Sequence, residues 1–210
     1  MSKRAVSLVK GPDGVTRCWW CVGDPVYQAY HDVEWGFPCT DDRGLFESIC
    51  LDGFQAGLSW ITILRRREHF RSAFCGFEIE RVARLNRRSV ERLLRDDRII
   101  RHRGKIESTI NNAKRAVELI DECGSLAGYI WRYEPKSHRT RVTRRSIPVH
   151  TPESVAMSKD LKRRGWTFVG PTILYAMMQA VGVVNDHVTG CDIGARVPST
   201  RGRPIRPAIR

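Results

Sequence analysis

The sequence predicts an all-α protein, because helical periodicity recurs through its middle and strand alternation is weak. After Gly104, apolar residues return at steps of three and four, which is the pattern of one buried helix face. Thr151 is a helix cap followed by Pro152 at the first helical position, and Pro171 opens another helix. A short pair of strands within residues 139–149 is the one exception that the pattern allows.

Further signals mark helix ends elsewhere along the chain. They are, in order, Thr40 with Asp41 and Asp42 as a start, Gly53 and Gly57 as the flanks of a helix carrying Leu58, Trp60, Ile61 and Leu64, Ser89 as a cap, and Gly165 as a stop. These signals predict short helices joined by short turns.

The chain has 210 residues and a formal net charge of +13. This length suits one domain or two small lobes around a sizeable core. No apolar run approaches the roughly 18 residues of a membrane span, and the N-terminus lacks a signal-peptide core, so we expect a cytoplasmic protein outside the membrane. The positive charge favours a polyanionic partner such as nucleic acid, with a membrane surface or plain solubility as alternatives.

Composition divides the chain into three parts. Residues 1–16 lack periodicity and are predicted to form a mobile leader, residues 17–194 a folded domain, and residues 195–210 a disordered tail rich in arginine. The longest irregular stretch of the domain, residues 135–150, is basic enough to touch phosphates. A solvated surface loop explains that stretch equally well.

Aromatic residues are concentrated between residues 17 and 38. This segment contains Trp19, Trp20, Tyr27, Tyr30 and Trp35, with acidic and turn residues between them. Large aromatic side chains commonly fill a core, because each removes a large area from water. Aromatic planes beside polar groups also suit a pocket for a flat heterocycle, so both interpretations stay open at this point.

Two Cys–His pairs suggest a metal site. His187 and Cys191 are four residues apart, which on a helix puts both on one face, and Cys18 and His31 stand far upstream. Two cysteines and two histidines form a tetrahedral zinc set that would tie the chain ends together. The alternatives are a satisfied core histidine and a role for Cys21, which forms a CxxC motif with Cys18.

Several blocks of the chain together resemble one enzyme family. They are CxW…DPxYxAYHDxEWGxP near the start, LDGFQAGLSWITIL at 51–64, IIRHRGKI at 99–106, KRRGWTFVGPTI at 162–173 and VNDHVTGC at 184–191. In order and spacing they are similar to the type I DNA-3-methyladenine glycosylases, from residue 17 to residue 191. The leader and the tail fall outside the resemblance.

The resemblance implies an all-α fold of the helix-hairpin-helix glycosylase superfamily, with two helical lobes flanking a pocket. It also implies one structural zinc in place of the superfamily's iron–sulfur cluster. The implied ligands are Cys18, His31, His187 and Cys191, and Cys21 is then a bystander.

The implied partner is double-stranded alkylated DNA, bound by a monomer that associates with the nucleoid. Tyr30 and Trp60, with Trp20 nearby, resemble the surfaces that stack a flipped base, and Tyr27 and Trp35 match further pocket positions. Leu58 is a candidate wedge in the duplex, with a core leucine as the alternative. The candidate DNA contacts are Arg101, Arg103, Lys105, Lys162, Arg163, Arg164 and the hairpin residue Gly170, and solvated helix ends are the alternative.

The implied reaction is hydrolysis of the N-glycosidic bond of 3-methyladenine, with Asp52 and Tyr30 as the catalytic residues. Asp52 departs from the family, which generally has glutamate there, and its carboxylate retreats by roughly 1.5 Å, the length of one C–C bond. Asn185 and the absence of a hairpin lysine imply a monofunctional glycosylase. Asp52 keeps two alternatives open, namely a DNA-binding homologue with impaired catalysis and a glycosylase with shifted base specificity.

Overall fold

Ten α-helices and one β-hairpin make up the regular structure of residues 6–137 and 141–198, which the computed structural model describes. The strands are β1 (Leu8–Lys10) and β2 (Thr16–Cys18), and the helices are α1 (Pro25–Val33), α2 (Asp42–Gln55), α3 (Trp60–Leu64), α4 (Arg67–Ala73), α5 (Ile79–Ala83), α6 (Arg87–Leu93), α7 (Arg103–Cys123), α8 (Leu126–Ile130), α9 (Pro152–Arg163) and α10 (Pro171–Ala180). Short 3₁₀ turns lie at Cys75–Phe77, Trp131–Tyr133 and Gly194–Arg196. The predicted all-helical character is confirmed apart from the hairpin.

Helices α2 and α7 form the centre of the main core. Helix α2 packs against α3, α7, α8 and α10, and its second half from Ile49 to Phe54 is buried without interruption. Helix α7 packs along α2, α5, α6 and α8. A helix buried on all sides must satisfy every polar group that it carries into the core, which makes Asp52 in α2 the residue to explain.

The helix starts follow the caps that the sequence predicts, with shifts of a few residues. Thr151 caps α9 and exchanges hydrogen bonds with Ser154, and Pro171 opens α10. Helix α2 runs through Gly53, and α3 begins only at Trp60, so Leu58 lies in the turn between them. Buried packing of α2 therefore overrides the low helix propensity of glycine.

The predicted leader is wrong for residues 6–16. Strand β1 pairs antiparallel with β2, with Leu8 opposite Cys18, and the Thr16 backbone exchanges two hydrogen bonds with Asp192 near the other end of the chain. Residues 1–5 lie outside the described part. The strands are only three residues long, too short for periodicity to be visible in the sequence.

Two further expectations concern the other irregular segments. Residues 141–149 contain no strand, and residues 138–140 are not described, so the predicted strand pair is absent from the described portion of 139–149. Of the predicted tail, residues 195 and 196 belong to a 3₁₀ turn, and residues 199–210 lie outside the described residues. Among the helices of the described ranges, none is long and apolar enough to cross a membrane.

Lys105 is a correction to the predicted DNA contacts. Its side chain is only 7% exposed, and its ammonium donates hydrogen bonds to the backbone oxygens of Phe54 and Ala56, at 2.9 and 2.6 Å. A cation at this place satisfies carbonyl groups that the end of α2 leaves open. Lys105 therefore holds the end of α2 and the turn before α3, and its ammonium is engaged by backbone oxygens in a buried place.

We expect Lys105→Met to lower the free energy of unfolding by about 2 kcal/mol, because two buried carbonyls lose a charged donor. Urea unfolding measures this value. Lys162→Met is the matched control, since Lys162 is exposed near the end of α9 and should change the value by no more than about 0.5 kcal/mol. Equal effects of the two substitutions would show that the buried contacts of Lys105 carry no stability.

Candidate active site

A cavity of about 230 Å³ lies between the segment that leads into α1 and helices α1, α2, α3 and α10. Its lining consists of Trp19, Trp20, Tyr27, Tyr30, Trp35, Asp52, Gln55, Trp60, Ile147, Ala176, Gln179 and Ala180. All five aromatic residues that the sequence places at a base pocket are in this lining. Six aromatic rings around one carboxyl group and two amides leave a cavity suited to a flat, polar-edged ligand.

The aromatic walls are fixed by contacts with one another. The ring centroid of Trp20 lies 4.9 Å from that of Tyr27 and 5.0 Å from that of Trp35, both in edge-on arrangement. Tyr30 and Trp60 lie 5.6 Å apart with tilted rings. The indole nitrogen of Trp60 is buried and has no hydrogen-bond partner among the described residues. The sequence leaves open whether these aromatic residues fill a core or line a pocket. In the structure they pack against one another and also line the cavity.

Asp52 is the buried acid of the cavity. It is 4% exposed, and the hydroxyl of Ser48, one turn earlier on α2, donates a hydrogen bond to its Oδ2 at 3.3 Å. Burial raises the pKa of Asp52 to about 8, because no basic side chain of the described residues forms an ion pair with it. Asp52 therefore holds its proton at neutral pH in this structure.

Three of the four predicted metal ligands lie together. The ligand atoms of Cys18, His31 and Cys191 are all within 4.8 Å of one another, and all three residues are buried. His31 directs Nε2 at the Cys191 sulfur, 3.7 Å away, while its Nδ1 lies 2.9 Å from a carboxylate oxygen of Asp32. Arg17 donates hydrogen bonds to both oxygens of that carboxylate. A histidine whose outer nitrogen is bound to a carboxylate presents a fixed ring to a metal.

His187, the fourth predicted ligand, lies beside this group and outside the 4.8 Å set. Its ring centroid is 4.9 Å from that of His31, and its Nδ1 is 2.8 Å from the side-chain oxygen of Asn185. Its Nε2 is buried without a hydrogen-bond partner among the described residues. Burial lowers the pKa of His187 to about 4, so the ring is neutral, which is the form that binds metals. The Cys21 thiol instead donates to the Cys18 carbonyl, at 3.2 Å.

The predicted wedge and hairpin lie at the surface. Leu58 is 40% exposed in the turn before α3, so the alternative of a core leucine is wrong. Gly170 precedes α10, where no side chain caps the helix and a Cβ atom would meet nothing within 4 Å. Backbone N–H groups at the start of α10 are thus accessible to an anion.

The basic residues predicted to contact DNA differ in their exposure and in whether a carboxylate already pairs with them. Arg101, Lys162 and Arg163 are exposed, although Arg163 also pairs with Asp160. Arg103 pairs with the exposed carboxylates of Glu91 and Glu107. Arg164 is half-buried and pairs with Glu122 and Asp160. Exposed ion pairs are weak, so a phosphate can replace the carboxylates that pair with Arg103 at little cost. Arg103 is therefore a better candidate for a DNA contact than Arg164.

Sequence reasoning assigned no site role to five residues of the cavity lining, which are Gln55, Ile147, Ala176, Gln179 and Ala180. Trp19 belongs to the aromatic segment that it did identify. Gln179 interrupts the most apolar run of the chain, and an amide on an otherwise apolar helix is a signal that could have identified it. Ile147 comes from the irregular basic stretch, where no local pattern indicates which side chain turns inward.

The fold and the cavity together define a helical protein with an aromatic cavity, of a shape suited to a flat heterocycle, beside one buried carboxyl group. The sequence model of the family described as methyladenine glycosylase matches residues 20–194. The chain therefore belongs to the methyladenine glycosylase family.

Individual relatives agree over most of the chain. DNA-3-methyladenine glycosylase 1 of Escherichia coli is 49% identical over 179 residues, which cover 83% of this chain and 95% of that protein. A crystal structure of a 3-methyladenine DNA glycosylase I matches with a TM-score of 0.81 at 49% identity, over 84% of this chain and 98% of the other. A structure of the Staphylococcus aureus enzyme, described as showing the basis of 3-methyladenine recognition, matches with a TM-score of 0.79 at 32% identity, over 84% and 94% of the two chains.

We expect Asp52 to lower the free energy of unfolding as the pH rises from 5 to 7. The folded protein keeps this proton up to about pH 8, whereas the unfolded chain releases it near 3.8, so folding takes up a proton between these values. The free energy of unfolding then falls by up to about 1.4 kcal/mol per pH unit. In Asp52→Asn this contribution disappears. Urea unfolding at pH 5, 6 and 7 measures the difference between the two proteins, and a constant difference would contradict the buried proton.

Proposed function

We propose that this protein hydrolyses the N-glycosidic bond of 3-methyladenine in alkylated DNA, as a repair enzyme that releases the damaged base. The observation that carries the proposal is the aromatic cavity with one buried carboxyl group, in a chain 49% identical to a protein named DNA-3-methyladenine glycosylase 1. A base that is paired and stacked in a duplex cannot enter such a cavity, so it must first leave the duplex.

The aromatic walls suit a charged base. A nucleotide methylated at N3 of adenine carries positive charge, and the electron-rich faces of Tyr30 and Trp60 attract a cationic ring. When the bond between the sugar and N9 breaks, its electron pair neutralises the base, and water adds to the sugar carbon and releases a proton. The leaving group needs little general acid, because it already carries its charge.

Asp52 contributes a charge that appears when the base binds. A cationic ring beside Asp52 favours its ionised form and so counters the burial that raises its pKa. Ser48 donates to one carboxylate oxygen and leaves the other for the base. Across the shorter side chain of aspartate, a bridging water or a small shift of the base restores the contact. No lysine of the described residues lines the cavity, so the strand-cleaving chemistry of a lysine nucleophile is not available there.

The proposal includes double-stranded DNA as the partner and a helix-hairpin-helix element at residues 165–172. The turn between α9 and α10 and the uncapped start of α10 present backbone N–H groups to a phosphate without reading sequence. Exposed Leu58 is placed to enter the duplex where the base leaves. The cavity is lined by one chain, so a monomer acting where the chromosome lies is sufficient.

A structural zinc at Cys18, His31, His187 and Cys191 is the second part of the proposal. Its support is the donor set, since two thiols and two histidines whose outer nitrogens are engaged leave both Nε2 atoms for a metal. The unpartnered Nε2 of His187 would gain a ligand bond there. Bound zinc would supply cross-linking of the chain ends and no step of the reaction.

Metal analysis of the purified protein should find about one zinc per chain. Cys191→Ser removes a proposed ligand and should lose zinc and lower the melting temperature. Cys21→Ser is the matched control, because Cys21 is buried beside the cluster and should keep both values. Full zinc content in Cys191→Ser together with loss in Cys21→Ser would move the ligand role to Cys21.

Release of 3-methyladenine from methylated DNA is the test of the main proposal. We expect release by the wild-type protein, a fall of about 10- to 100-fold in kcat/KM for Asp52→Asn, and a change of less than about tenfold for Asp52→Glu, which keeps a carboxylate. No release by the wild-type protein with a gain in Asp52→Glu would identify a catalytically impaired DNA-binding homologue. Release of a different base, identified by mass, would identify shifted specificity.

A further inference from the structure

Gln179 lines the cavity and is held by a buried acid behind it. It lies at the end of α10, and its amide nitrogen donates a hydrogen bond to Oδ2 of Asp186 at 2.8 Å. The hydroxyl of Tyr175 donates to the same oxygen. Asp186 and Tyr175 are both buried, so this arrangement is shielded from water and the position of the acid is fixed.

The contact with Asp186 determines which way the amide of Gln179 faces. A carboxylate oxygen accepts and does not donate, so the NH₂ group of Gln179 must be the side that faces Asp186. The amide oxygen then points away from the acid. Within the described part of the chain no donor is hydrogen-bonded to that oxygen. Gln55, the other amide of the lining, has no such anchor among the described residues.

We propose that the Gln179 oxygen reads the exocyclic amino group of the base and makes the cavity selective for 6-aminopurines over 6-oxopurines. The inference rests on the proposed function and deepens it by naming a specificity-determining residue. Asp186 acts as a positioning residue, because it fixes the amide without touching the base.

The chemistry of the two purine classes explains the discrimination. A 6-amino group donates a hydrogen bond to the fixed amide oxygen, whereas a 6-oxo group places a second acceptor against it. Neither oxygen is then satisfied, and rotation of the amide to present its NH₂ group would set its oxygen against the carboxylate of Asp186.

Equilibrium binding of free bases tests the proposal without requiring cleavage. The probes are 3-methyladenine and 3-methylhypoxanthine, which differ only in the 6-substituent and its associated ring proton, and quenching of tryptophan fluorescence reports occupancy. We expect the wild-type protein to prefer 3-methyladenine by about tenfold or more, and Gln179→Met to reduce that preference to within about threefold. Gln55→Met, the same substitution in the same cavity, should leave the preference unchanged.

Three outcomes would overturn the proposal. They are a wild-type protein without preference, a Gln179→Met variant that keeps the wild-type preference with a wild-type melting temperature, and an equal loss of preference in Gln55→Met, which would assign selectivity to the general polarity of the cavity. Excision from methylated DNA is measured separately. A protein that binds 3-methyladenine selectively through Gln179 but releases no base would contradict the proposed glycosylase activity and leave the role of Gln179 supported.

Discussion

The two hydrogen bonds from the Lys105 ammonium to the end of α2 hold together the segment on which the cavity depends. Helix α2 carries Asp52, the turn after it carries Leu58, and α3 begins with Trp60. The buried acid, the exposed leucine and one aromatic wall of the cavity thus come from one stretch of chain, which bends sharply at Ala56. A cation that binds carbonyls on both sides of the bend fixes the angle at which these three groups meet, because the carbonyls at a helix end otherwise lack partners.

The sequence predicts the features of the fold that depend on local pattern. The helix that begins at Pro152, the start of α10 and the long α7 follow from caps and periodicity, and the structure agrees there. The hairpin before residue 18 was not predictable, because its stability comes from Asp192 at the far end of the chain. The resemblance likewise implied a DNA contact for Lys105, and the sequence could not correct it, because the direction of a long side chain is decided by the carbonyls that it meets in the fold.

At the site, residue types were predictable and their environments were not. The aromatic cluster and the acid at residue 52 were identified from sequence, but the pKa of that acid depends on burial and on the hydroxyl of Ser48, which only the packing of α2 reveals. Ser48 and Asp52 are four apart on one helix, a spacing at which side chains meet. Gln179 was missed because its role depends on Asp186, and nothing in the spacing of the two residues distinguishes a held amide from a free one.

The cluster of Cys18, His31, His187 and Cys191 and the cavity share a wall, so residues outside the cavity still bear on its shape. The Trp35 ring lies 4.6 Å from that of His187 and 5.0 Å from that of Trp20, and Trp20 lies 5.1 Å from His31. A Cβ atom at Gly36, whose φ is +84°, would meet the His187 ring at 2.8 Å. Tight packing leaves these rings no freedom to adjust independently. Any movement of the histidines must therefore displace the aromatic faces that line the cavity, which makes the cluster a support of the cavity wall.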